Sequence, residues 1–368
     1  AGATILNTGI GWHEARVPTI ATSVPRAAFT WVTQKMRAEL RADGIDIPLV
    51  TTNRINTPEV AEQALAEGTA DMVSMARPLL ADPDFVRKAE AGRSDRINTC
   101  IACNQACLDH AFKNKTVSCL VNPRAGHEDD LVIIPTPARK RIAVVGAGPA
   151  GLAAATTLAD RGHEVDLFDG ATEIGGQFTM ARRIPGKEEF NETLRYFTNR
   201  IADSGVRLHL SRRVSAADLE ELGVDEVVLA TGVTPRDPHI PGQDAPNVVN
   251  YIDVLAGDAP VGDRVAIVGA GGIGFDVAEY LVTAPGESAT LDLQEWLHEW
   301  GVTDPAEARG GLTKPAPTPA VRTVTLLQRK SGKLGKGLGK TTGWIHRATL
   351  VAKGVSMLPG VNYERITP

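Results

Sequence analysis

Two glycine-rich turns, each set between an apolar strand-like run and a helix-like run, constrain this chain more than any other feature. The first lies in RIAVVGAGPAGLAAA and places Gly146, Gly148 and Gly151 in Gly-x-Gly-x-x-Gly spacing. The second lies in RVAIVGAGGIGFDVAEYL, about 120 residues further on, with Gly269, Gly271 and Gly274 in the same spacing. In this pattern the glycines allow a tight turn, a close approach of backbone to a pyrophosphate and close helix packing, while the helix N-terminus favours the anion. A lone motif of this kind is weak, but strand, turn and helix in register twice over predict two dinucleotide-binding units in an α/β chain. Asp169 closes the next strand, VDLFD, 23 residues after Gly146, where an acid binds a ribose hydroxyl.

Later signals separate the two sites. Gly175-Gly176-Gln177-Phe178 and the strand end VVLATG, finishing at Thr231-Gly232, are similar to the glycine pair and the ATG strand of two-dinucleotide flavoprotein reductases, and narrow the first site to FAD. After the second fingerprint, the strand TVTLLQRK ends in Arg329 and Lys330 where an acid would stand for NADH. A cationic pair there suits a 2′-phosphate, so NADPH is favoured, against the plain alternative of a solvated strand end. Gly269 and Arg329 are 60 residues apart, so residues 284–320, rich in Pro, Gly, Ala and acids and amphipathic at 293–300, read as an insertion that must be looped out. KLGKGLGKTTGW at 333–344 is no P-loop, because Leu334 stands where its first glycine is needed; it reads as a mobile loop near the cofactor phosphates.

The chain's four cysteines, Cys100, Cys103, Cys107 and Cys119, follow C-x2-C-x3-C-x11-C. So few cysteines in 368 residues, all clustered, exclude a secreted disulfide scaffold and point to metal binding in a reducing, cytoplasmic compartment. Three thiolates crowded into eight residues suit a [4Fe–4S] cluster better than structural zinc, whose ligands more often come as two separated pairs. Zinc and plain buried cysteines stay open on spacing alone. A net charge of -5 argues against a nucleic-acid partner, and the one uncharged run near spanning length, residues 142–159, is broken by glycine and proline, so no membrane insertion is expected.

Residues 1–98 alternate short strands with helical stretches, and three strand ends carry His13, Arg54 and Arg77. Catalysis sits at the C-terminal ends of barrel strands, and two arginines there suit a phosphate and an electron-rich flavin ring, although solvated strand-end arginines or a structural histidine would look the same. A Pro-containing connector at 131–139 predicts a domain boundary. The divisions expected are 1–98, 99–138, 139–261 and 262–368. The opening AGATILNTGIGWH, with Ala1 where an initiator Met would stand, reads as part of something longer.

NTGIGWHEARVPT, VTTNRIN, SMARPLLADP, NTCIACNQACLD, CLVNPRAGHE, IPGKEEF and GKTTGWIHR, with both fingerprints, resemble the bacterial NADPH-dependent 2,4-dienoyl-CoA reductases, relatives of old yellow enzyme and trimethylamine dehydrogenase. The resemblance covers nearly the whole chain. It implies the C-terminal part of an FMN-binding (β/α)8 TIM barrel, strands six to eight, then a [4Fe–4S] segment, a FAD domain and an NADPH domain, the latter two incomplete. It implies that Arg54, Ala76 and Arg77 contact FMN, with Arg77 on the phosphate, and that His13 works beside a tyrosine outside this sequence. The four cysteines match the cluster ligands; Ala150, Asp169, Gln177, Lys187 and Val214 match FAD contacts; Arg329, Lys330 and Trp344 match the NADPH site. The activity implied is reduction of 2,4-dienoyl-CoA in unsaturated fatty acid β-oxidation by a monomeric enzyme, electrons passing from NADPH through FAD, the cluster and FMN to the acyl-CoA. Related ene-reductases, amine dehydrogenases and an electron-transfer or redox-sensing module are the alternatives.

Overall fold

The computed structural model describes residues 2–12 and 15–368, which form three parallel sheets joined by helical crossovers. Strands β1 (Leu6–Asn7), β2 (Leu49–Thr51) and β3 (Met72–Val73) pair in that order, each followed by a helix-bearing return. They are shorter than the apolar runs predict. The helix Thr30–Ala42 is tied to these strands by a row of hydroxyls: Thr33 Oγ1 lies 2.9 Å from Thr8 Oγ1 and 3.0 Å from Thr51 Oγ1. The helix Pro58–Ala66 starts as its sequence dictates, with Thr57 as cap, its side chain accepting from the Val60 amide, and proline in the first turn.

The second sheet has the order β6 (Arg207–His209), β5 (Glu164–Phe168), β4 (Arg141–Val145), β7 (Glu226–Leu229), all parallel. In chain order this is third, second, first, fourth, the arrangement of a mononucleotide-binding half. The helix Pro149–Asp160 packs Leu152 and Ala155 against Val144, Val165 and Leu167. Near-continuous apolar strands are what a parallel sheet covered by helices requires.

The third sheet runs β10 (Ser356–Pro359), β9 (Thr323–Gln328), β8 (Arg264–Val268), again parallel. The helices Gly272–Val282 and Gly343–Ala352 pack Phe275, Leu281 and Leu350 against Val324 and Leu326. No helix among the described residues is long and apolar enough to cross a membrane.

Residues 284–320 leave the second unit between the helix Gly272–Val282 and β9, as an insertion looped out of the β8–helix–β9 crossover, and pack on the first sheet's loops. Their helix Leu293–Trp300, capped by Asp292, buries Trp296 against Phe29 in an edge-on pair 5.8 Å apart. Trp296 Nε1 donates to the Ser23 carbonyl at 2.8 Å, and Lys35 pairs with Asp304 at 2.8 Å. The segment is a wedge that shares one apolar cluster with Val24, Ala28 and Phe29 of the first sheet's loops and with Ile345. The amphipathic stretch 293–300 forms the helix, and its apolar side meets the loops of the first sheet.

Candidate functional site

All four cysteines line a single cavity with Arg77, Leu80, Asn104 and Leu120. The loop reaches this shape through backbone rarely adopted by side-chain-bearing residues: Ala102 (φ 52°) and Asn104 (φ 60°) are left-handed on either side of Cys103. The segment carrying Cys119 is returned to the loop by Ser118, whose amide donates to the Ala106 carbonyl at 2.8 Å, and by Asn98, whose Nδ2 donates to the Val121 carbonyl at 2.8 Å. No disulfide forms. Burial pushes the Cys103 thiol up to about 12 and raises Cys107 and Cys119 as well, so without a cation these sulfurs stay protonated.

Among the described residues no three acidic, histidine or cysteine side chains converge as ligands of one ion. Four thiols lining one cavity fit an iron–sulfur group in donor chemistry, since clusters are held by thiolates. Asn104 fits it too: its Nδ2 is buried at this cavity with no partner, a donor left for an acceptor such as sulfur.

Arg77 opens the helix Arg77–Ala81 directly after Ala76, and its Nη1 donates to the Ile20 carbonyl at 2.9 Å and to Asn104 Oδ1 at 2.5 Å. It thus joins the end of β3 to the cysteine loop. His13 lies outside the described residues. Arg54 follows β2, left-handed like its neighbour Asn53, and its buried guanidinium donates to the Val24 carbonyl and pairs with Glu189 at 2.8 Å. Glu189 also receives Arg26 and Asn56, and Asn56 donates in turn to the Cys100 carbonyl at 2.9 Å. Burial opposes ionisation of Glu189, but the bonds from Arg26 and the charge of Arg54 prevail and hold its carboxyl down at about 2.

The first fingerprint forms a backbone cradle. Gly146 has φ 108°, and a Cβ on Gly151 would overlap the Gly146 carbonyl, so neither position admits a side chain. Gly176 approaches the other side, where an added Cβ would meet Gly148 Cα at 3.1 Å. Asp169 sits at the end of β5, accepting from the Ala147 amide at 2.6 Å and from Ala171 at 2.8 Å. Ala150, Gln177, Thr231 and Gly232 stand exposed around this cradle, with Gln177 Nε2 donating to the Val233 carbonyl. Lys187 is turned toward the second unit, pairing with Asp276 at 2.6 Å, and Val214 is half-buried.

The second fingerprint repeats the geometry: Gly269 has φ 113°, Gly271 precedes the helix, and a Cβ on Gly274 would overlap the Gly269 carbonyl. Arg329 and Lys330 follow β9 and are exposed, their side chains without ion pair among the described residues. Trp344 is directed elsewhere, meeting Trp300 edge-on at 6.2 Å in the wedge cluster. The expected mobile loop at 333–344 is instead pinned. Leu334 is buried, and Asp109 accepts from the Lys340 amide and from both the amide and hydroxyl of Thr341. The sequence patterns do not single out Glu189, Arg26, Asn56, Asp109 or Thr341; the signal available was that Glu189 falls in IPGKEEF, Asn56 in VTTNRIN, Asp109 in NTCIACNQACLD and Thr341 in GKTTGWIHR.

With this geometry in view, comparison with known proteins defines the class. Residues 140–368 match the model described as pyridine nucleotide-disulphide oxidoreductase, and residues 1–96 match the NADH:flavin oxidoreductase / NADH oxidase family. The chain belongs to the pyridine nucleotide-disulphide oxidoreductase family. Its fold joins a flavin-oxidoreductase TIM-barrel part to Rossmann-like dinucleotide units, with flavin and nicotinamide nucleotide as the cofactor classes. Among similar proteins, a metal reductase of Desulforamulus reducens is 36% identical over 362 residues, 97% of this chain and 52% of that protein. A cinnamate reductase of Clostridium sporogenes is 32% identical over 250 residues, 68% of this chain and 37% of that protein. The solved structure of a 2-naphthoyl-CoA reductase complex aligns with a TM-score of 0.83 at 29% identity, covering 99% of this chain and 49% of that one. The chain spans about half the length of the relatives it matches most fully.

Proposed function

We propose that the protein carrying this chain is an NADPH-dependent iron–sulfur flavoprotein that reduces a conjugated carbon–carbon double bond of an acyl-CoA thioester, 2,4-dienoyl-CoA in fatty acid β-oxidation being the substrate favoured by the motifs around His13. The observation that carries this reading is the convergence of four thiols and Arg77 on one cavity beside the barrel strands. When bound, nicotinamide and flavins supply hydride chemistry and an iron–sulfur cluster supplies single-electron conduction between them. The chain's own residues bind and orient these groups. Gly269, Gly271 and Gly274 receive the NADPH pyrophosphate, and Arg329 and Lys330 its 2′-phosphate. Gly146, Gly148, Gly151 and Gly176 receive that of FAD, with Asp169 at the ribose. Cys100, Cys103, Cys107 and Cys119 hold the cluster, Arg77 the FMN phosphate, and His13 a proton for the reduced acyl chain. We place the enzyme in the cytoplasm as a monomer.

A second reading, delivery of electrons to an external metal ion, is favoured by the similarity to a metal reductase along nearly the whole chain. The test is anaerobic purification of the protein from its complete natural reading frame, followed by flavin and iron analysis and NADPH oxidation with 2,4-decadienoyl-CoA or ferric citrate. FMN, FAD, about four irons and thioester turnover are expected. Absence of iron would remove the cluster; full cofactors with ferric reduction and no thioester turnover would replace the first reading by the second.

A further inference from the structure

Glu189 belongs by sequence to the first dinucleotide unit, directly before the helix Phe190–Ser204, yet four of the hydrogen bonds it accepts come from residues that follow the strands of the first sheet. Arg26 reaches it through Nε at 2.8 Å and Nη2 at 2.6 Å, Arg54 through Nη2 at 2.8 Å, and Asn56 through Nδ2 at 3.1 Å. The side chains of Glu189 and Arg54 are 5% and 1% exposed, and among the described residues Glu189 is the only carboxylate paired with Arg54. The same Asn56 amide group holds the carbonyl of Cys100. One carboxylate therefore ties together the unit that bears the first fingerprint, a buried arginine at the end of β2 and the loop of the first cysteine.

A simple structural tie would need only an exposed ion pair. Here the carboxylate is buried and accepts four hydrogen bonds, and among the described residues Arg54 has no other carboxylate partner, so its orientation depends on the seating of the dinucleotide unit. Left-handed backbone at Asn53 and Arg54 holds the guanidinium toward that unit. Hydrogen-bonding partners one step removed from metal ligands tune the metal they surround.

We infer that Glu189 is a positioning residue that couples the seating of the first dinucleotide unit to the orientation of Arg54 and, through Asn56, to the Cys100 loop. The inference rests on the cofactor reading above. It assigns to the carboxylate control over electron passage between the dinucleotide unit and the barrel, beyond holding the units together.

The experiment uses the complete, cofactor-loaded protein and compares the wild type with Glu189→Gln and Asn56→Ala. Its readouts are the electron paramagnetic resonance spectrum of the reduced cluster, the rate at which electrons leave NADPH-reduced FAD, and flavin and iron content. The expected result is a shifted resonance in both variants and a fall of about 10-fold or more in the rate of electron departure, with the KM for NADPH and the rate of FAD reduction unchanged. Asn56→Ala leaves the bonds of Glu189 to Arg26 and Arg54 in place, so it decides the question if Glu189→Gln does not fold. Variants that melt at lower temperature but keep the wild-type resonance and departure rate would overturn the inference, leaving a structural tie. A wild type without iron would overturn the cofactor reading and this inference with it, whereas a loaded wild type with silent variants overturns the inference alone.

Discussion

Asp109 and Thr341 meet in a buried pair of hydrogen bonds across 232 residues of sequence, with Thr341 donating its amide at 2.9 Å and its hydroxyl at 2.7 Å to one carboxylate oxygen. The other oxygen takes the Lys340 amide at 3.1 Å. Asp109 stands two residues after Cys107, and Thr341 two residues before the helix Gly343–Ala352. The cysteine segment is thereby fastened to the second dinucleotide unit by a charge-assisted contact.

Replacing Asp109 with Asn would set an amide group against three donors. A loss of roughly 1.5–3 kcal/mol in stability is expected, measured by urea denaturation. Trypsin cleavage after Lys336 and Lys340 should accelerate, because the segment loses its tether; unchanged cleavage would show that Leu334 alone holds it.

Cys103→Ser should abolish the visible absorbance of the cluster and NADPH-driven substrate reduction while leaving FAD reduction by NADPH intact. Stopped-flow absorbance in the flavin and cluster bands distinguishes the two. Full substrate turnover in the variant would remove the cluster from the path.

Arg329 and Lys330 extend from β9 exposed and form no ion pair among the described residues, so changing both to Ala should leave stability nearly unaltered. The KM for NADPH should rise about tenfold or more, as loss of charged hydrogen bonds to a phosphate implies, and that for NADH little. Equal effects on both nucleotides in steady-state assays would withdraw the 2′-phosphate assignment.

Glu189, held at about 2 in the fold against an ordinary value of 4.5, makes the ionised carboxylate a stabiliser of the native state. Its contribution is complete above about 4.5 and is lost as pH falls from there toward about 2. Melting temperature should therefore drop over that window more steeply in wild type than in Glu189→Gln, whose curve lacks the titration. Parallel curves would mean that the carboxylate is not stabilised by Arg26 and Arg54.

What the sequence makes legible is what is local. A strand, a glycine turn and a helix occupy one continuous stretch, Arg141 to Asp160 and again Arg264 to Val282, so both fingerprints and the strands around them stand where the pattern predicts. Three of the four cysteines lie on one short loop, and Ser118 and Asn98 need only close it on Cys119. The contacts of Glu189 with Arg26, Arg54 and Asn56, and of Asp109 with Thr341, leave no such trace: each joins residues more than a hundred positions apart, and a buried ion pair is spelled with the same letters as a solvated one. Lys187 shows the same limit, since its pairing with Asp276 depends on how the two dinucleotide units meet. Residues 333–344, glycine- and lysine-rich, carry the composition of a free loop, and only tertiary hydrogen bonds make them otherwise.

Trp296 gives the wedge a bearing on ancestry and engineering. Its codon lies among those of the second dinucleotide unit, but its indole completes the interior of the flavin-barrel part and bonds to Ser23. The nucleotide module is therefore not a freely exchangeable cassette. A chimera that grafts in a homologous module without residues 284–320 would leave Phe29 and Val24 facing water, whereas one that transplants the wedge together with the loops it fits would keep the seam closed.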